Sequence, residues 1–257
     1  AQARAEAERV VEMFAHQRAL AAEWLGVETR APVRVHLVKD YAGLREAVGA
    51  APAWAVAVAR RDDVLAFRLD RLTRAGATSL DLVLRHEVVH QVLGHLGGTP
   101  LPRWFEEGLC VHHAGIAYFE PDASLERVAA GGSRPTFAEV DAHFRRDERS
   151  AALAYRYGHA AVTRFLERFG PDLLRRLLRN LKAGLPFEEA FREATGVPLA
   201  EFEEQWRREV TPKLPLWLFV LLENIELALL CGGALLVAGG YLHWRVRRER
   251  AMRSIEE

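Results

Sequence analysis

The apolar positions of this chain repeat with two spacings, one near 3.6 residues and one of two. Residues 4–25 follow the first: Val10, Phe14, Ala21 and Trp24 fall near one face, with Arg and Glu elsewhere, which predicts an amphipathic helix. Residues 33–38 follow the second, alternating as a half-buried strand does, with His36 on the polar side. Residues 41–48 return to helix. Residues 54–59 and 64–69 are two further predicted strands, joined by Arg60-Arg61-Asp62-Asp63. From residue 78 onward the pattern is mostly helical. Gly97, Gly98 and Pro100 end one helix, and Pro102 marks the start of the next. Residues 120–135, with Gly131-Gly132-Ser133, read as a loop that connects helices or shapes substrate entry. Residues 137–144, 151–169, 171–183, 186–195 and 199–210 read as helices. The fold class that follows is α+β: a small N-terminal sheet with helices over about 1–98, then an all-helical half over about 99–212.

Past residue 212 the pattern changes. Residues 225–244 contain one acid, Glu226, and match the roughly 20 apolar residues of a bilayer span. Arg245, Arg247, Arg248 and Arg250 follow at once. The expectation is a membrane anchor over 213–244 with one transmembrane helix and a basic cytoplasmic tail over 245–257. The rest of the chain would then be extracytoplasmic, in a single-pass membrane protein. Trp217, Tyr241 and Trp244 stand where interfacial anchors would, and Glu223 and Glu226 would lie at the outer interface. Ala1-Gln2-Ala3 resembles the start of a chain after signal-peptide cleavage, or of a trimmed one.

Composition narrows the classes. The chain has 257 residues, half of them hydrophobic, enough for one sizeable core. Its formal net charge is zero, which gives no electrostatic case for a nucleic-acid partner. The only two cysteines, Cys110 and Cys231, lie in unrelated segments, so no disulfide is expected.

The chemistry concentrates in His86-Glu87-Val88-Val89-His90. Two histidines four apart on a helix project from one face, where one zinc ion can take both. Glu87 is turned about 100° from His86 and can reach a water on that metal as a general base. Leu84, Val88, Val89, Val92 and Leu93 make this helix apolar around most of its circumference, so it should be buried. A buried helix with such polar groups needs partners for them, and one Zn2+ per chain supplies them. A metzincin third ligand fails, because Leu93 and Leu96 stand where Gly and His are required. His95 reads as a helix-end or supporting residue. Downstream, Glu106 and Glu107 are adjacent on the next helix, so only one of them can face the metal.

H-E-x-x-H followed by Pro102-Arg103-Trp104-Phe105-Glu106-Glu107-Gly108-Leu109 resembles the gluzincin zinc metallopeptidases, specifically the peptidase MA-like family. The likeness runs on through Ala154-Tyr155, Phe169-Gly170-Pro171, Phe187 to Phe191 and Gly196-Val197-Pro198-Leu199 to Trp206, spanning roughly 78–210. It implies a zincin-like fold and a zinc held by His86, His90 and Glu107, with Glu106 facing solvent or substrate. It implies hydrolysis of a peptide or protein substrate by a zinc-activated water, with Glu87 as base. Tyr155 resembles the tyrosine that steadies the oxyanion, with Tyr157 and then His159 as alternatives. His112 and His113 read as structural. In zincin folds one strand borders the cleft and pairs with extended substrate; that role is expected of 64–69, Val64, Leu65, Ala66 and Phe67 in particular, and the alternative is a plain interior strand. The alternative is a membrane-tethered binding or assembly module that keeps the fold without the activity.

Overall fold

The computed structural model describes residues 2–29, 32–60, 63–72, 79–115, 134–210 and 224–253. The loop expected over 120–135 lies almost wholly outside them, and so do Trp217 and Glu223. Helix α1 (Gln2–Leu25) leads into strand β1 (Arg34–Val38), α2 (Tyr41–Val48), β2 (Ala57–Arg60) and β3 (Val64–Arg68). Then come α3 (Leu80–Gly94), α4 (Arg103–Ala114), α5 (Phe137–His143), α6 (Glu148–Lys182), α7 (Phe187–Thr195), α8 (Leu199–Glu209) and α9 (Ile225–Arg253). The described residues are thus mostly helical, with one small sheet.

That sheet has the order β1-β3-β2. β1 pairs with β3 in parallel, Val35 opposite Leu65, and β2 pairs with β3 antiparallel, Val58 opposite Ala66. β3 is therefore the middle strand and is buried along its whole length. A strand paired on both sides has no free ladder for a peptide, so Val64, Leu65, Ala66 and Phe67 form a plain interior strand, and among the described residues the edge strand that lines the cleft is β2. Residues 54–56 stay outside the sheet. Arg68, 4% exposed, draws that segment in: its guanidinium donates to the carbonyls of Ala53 (2.6 Å) and Ala55 (3.1 Å) and pairs with Asp70 at 2.9 Å.

The main core gathers α1, α3, α4 and the later helices around Leu84, Val88, Val92, Phe105, Leu109 and Phe165. α6 is two helical stretches broken at Gly170, whose φ of 76° suits glycine, and Pro171 then opens the second stretch. α4 and α6 cross closely enough that a Cβ on Gly158 would lie 2.5 Å from the Trp104 carbonyl oxygen, and one on Gly108 would overlap the Gly158 carbonyl.

The expected membrane anchor is corrected here. Among the described residues, no helix is long and apolar enough to cross a membrane. Helix α9 carries Glu226 in its first turn, then His243 and five arginines (Arg245, Arg247, Arg248, Arg250 and Arg253). Between Glu226 and Arg245 lie 18 residues without a formal charge, 227–244, including four glycines, His243 and Trp244. At 1.5 Å per residue they span about 27 Å, short of a hydrocarbon core of about 30 Å. The transmembrane helix of the expected fold class is withdrawn, and with it the single-pass placement and the sidedness built on it.

Candidate functional site

α3 is apolar nearly all round, so it buries on α1, β2 and α4 and carries its few polar side chains inward with it. His86, Glu87 and Glu107 are only 3%, 8% and 5% exposed. α4 begins just after Pro102, and Trp104 fixes its first turn: the Trp104 backbone N–H donates to Asp141 Oδ1 (2.6 Å), and its ring stacks on Phe137. The two helices bring three donors together. Glu107 Oε2 lies 3.3 Å from His86 Nε2 and 3.2 Å from His90 Nε2. Donors on a tetrahedral zinc at about 2.0–2.1 Å stand about 3.3–3.4 Å apart, so these residues fit that ion.

Each donor has further support. His90 Nδ1 is 2.8 Å from Glu106 Oε1, which leaves Nε2 to face Glu107. Glu106 therefore touches a histidine of the site and does more than face solvent. Arg103, one turn before Glu107, donates through Nε to Glu107 Oε1 at 3.3 Å. Burial works against charge on Glu107, but His90 and His86 outweigh it and hold its carboxyl well below the usual range. Burial likewise works against charge on His90, yet Cys110, Glu107 and Glu106 together hold its pKa well above the ordinary value. For Glu87 burial dominates and raises the carboxyl, with His86 and His90 opposing.

These groups line a cleft of about 440 Å³. One wall is residues 54–59, ending in β2; the other is Glu148, Ala151, Ala152 and Tyr155 of α6. His86, Glu87, His90, Arg103 and Glu107 all reach it. The Tyr155 ring stands edge-on to His86, with centroids 5.8 Å apart. Tyr157 is 1% exposed and packs on Trp206. His159 lies on the far side of α6, near Thr163 and His112. His112 and His113 stack on Trp24. His95 caps α3 and, with Gln91, holds Asp63 Oδ1 at 2.7 and 2.9 Å, tying the residue just before β3 to the helix of the H-E-x-x-H motif.

Three members of the site were not read from the sequence: the Glu106–His90 contact, Arg103, and Cys110. Cys110 is fully buried with its sulfur within 4.8 Å of a nitrogen of His86 and of His90, and burial pushes its thiol up to about 12. The signals existed in the spacing, since Arg103 and Cys110 lie four before and three after Glu107 and so share its helix face.

Two histidines one turn apart and a carboxylate from the next helix are the donors that zinc hydrolases use. The chain belongs to the Peptidase MA superfamily, whose family model matches residues 15–212. That bears out the resemblance read from the two motifs and extends it from residue 78 back into α1, taking in the whole sheet. The family is typically zinc-dependent. No curated protein matches the chain.

Proposed function

We propose that this chain is a zinc metallopeptidase of the gluzincin type, with residues 1–212 as the peptidase unit, its α/β part over about 1–98 and its helical part over about 99–212. The observation that carries the reading is the placement of Glu107 Oε2 within 3.3 Å of both histidine Nε2 atoms, with Glu87 buried in the same cleft. His86, His90 and Glu107 would hold the metal. Zinc, when bound there, supplies Lewis acidity that makes a water acidic and polarises a carbonyl.

The chain's own residues do the rest. Glu87 takes a proton onto its carboxylate and delivers it to the leaving amine; its burial-raised pKa brings it closer to working pH, where a base is most effective. Tyr155 lies on the same wall as the start of α6 and donates its hydroxyl proton in a hydrogen bond to the developing oxyanion. An extended peptide lies along the open side of β2, where backbone hydrogen bonds align it without regard to side chain. Glu106 and Arg103 steady the ligands.

The test is hydrolysis of a protein and peptide mixture by the zinc-loaded chain. Glu87→Gln should lower turnover by about 10²–10⁴-fold, the usual worth of a general base, while the zinc content stays the same. A binding module that merely keeps the fold would be indifferent to that change. Zinc-loaded wild type without turnover, or a Glu87→Gln variant as active as wild type, would sink the reading.

A further inference from the structure

Cys110 is a buried thiol that the mechanism above leaves unused. It follows Glu107 by three residues on α4, so both side chains leave the same face of the helix. His86, His90 and Cys110 each bring a donor atom within 4.8 Å of the other two. Glu107 closes on the same two histidines from 3.2 and 3.3 Å. Two nitrogens and one sulfur thus gather in one group, and the Glu107 oxygen reaches the same two histidines; all are donors that zinc accepts.

We propose that Cys110 is a fourth protein donor to the metal of this site, so that His86, His90, Glu107 and Cys110 together close it until the thiolate is displaced. The inference rests on the zinc reading above and adds a resting state to it. Zinc sites with four protein donors are the closed, structural kind, whereas catalytic sites keep one position open. On closure the S–H bond breaks, its proton leaves to solvent, and the sulfur electron pair fills the position that water would take; nothing is oxidised or reduced. A nitrogen–sulfur edge on tetrahedral zinc is about 3.6 Å. The protein would then hold zinc in a form that turns over only once the sulfur gives way to substrate or water.

The experiment uses the full chain. Cobalt(II) in place of zinc should give a sulfur-to-cobalt charge-transfer band in the near ultraviolet, and X-ray absorption of the zinc form should show one zinc–sulfur distance of about 2.3 Å. Cys110→Ala should lose both signals while still taking up the metal. Cys231→Ala, at the exposed cysteine on α9, should keep both. Metal bound through nitrogen and oxygen alone in the unsubstituted chain overturns this inference and leaves the peptidase reading standing; a chain that takes up no metal overturns both. The absorption measurement is made on the unsubstituted chain, so it decides between these outcomes even where Cys110→Ala folds poorly.

Discussion

Glu106 and Glu107 are neighbours with opposite tasks. Glu107 turns its Oε2 to both histidines, and Glu106 turns to the outer nitrogen of His90 at 2.8 Å. A carboxylate on the outer nitrogen of a ligating histidine fixes its tautomer and ring orientation, and such partners are typically worth 10–100-fold in metal affinity. Glu106→Ala should weaken zinc binding by about that factor, measured by competition with a chelator. Glu106→Gln keeps an acceptor oxygen and should recover most of the loss. Unchanged affinity in Glu106→Ala would mean that other contacts orient the ring. The sequence showed two carboxylates of which only one could face a metal; the choice came from the family resemblance, and the neighbour's task came from the packing of α3 on α4.

The element that sets this geometry is the crossing of α4 and α6 at Gly108 and Gly158. Backbone lies where each Cβ would stand, so the clash cannot be relieved by turning a side chain. Gly108→Ala should lower stability by at least about 1–3 kcal/mol, the usual cost of overpacking a core, read from urea unfolding. It should also weaken metal binding, because Glu107 is the adjacent residue. Wild-type stability in this variant would show that the two helices can separate without cost. Helices were readable because the 3.6-residue period repeats many times along each one. The break of α6 at Gly170-Pro171 was readable as well, since glycine and proline act locally. Sheet order was not: β2 and β3 have similar short apolar runs, and nothing local in 64–69 says that a strand from earlier in the chain pairs on each side of it.

For the molecule as a whole, α1, α4 and α6 meet at a group of histidines away from the cleft. Trp24 stacks on His112 and His113, and His112 lies 5.8 Å from His159. Burial, aided by Arg85 and His112, brings His113 down to about 4, and burial with His112 does the same to His159. Both start from an ordinary value of 6.5. The unfolded chain therefore takes up these protons first as pH falls. The stability tied to the neutral rings is whole above pH 6.5, declines between 6.5 and about 4, and is gone below. Urea midpoints across that range should fall with pH, and His159→Gln should flatten the slope. An equal slope in the variant would assign the pH dependence to other groups. The same scale corrected the C-terminal segment: composition over 225–244 suggested a span, but among the described residues no helix is long and apolar enough for one.

The sequence by itself determined the helical register of the H-E-x-x-H motif, because the positions of His86, Glu87 and His90 on a helix follow from a fixed angle per residue. It also determined the burial of α3, since a helix apolar on nearly every side has no stable place in water. Together with the Trp104-to-Gly108 stretch it was enough to recognise the family. Only the tertiary structure decided which strand borders the cleft, why glycine must follow Glu107, and that Arg103, Glu106 and Cys110 gather around the same donors. Those facts are distances between segments far apart in the chain. Such distances are set by how helices and strands pack once the core closes, which no local pattern of residues encodes.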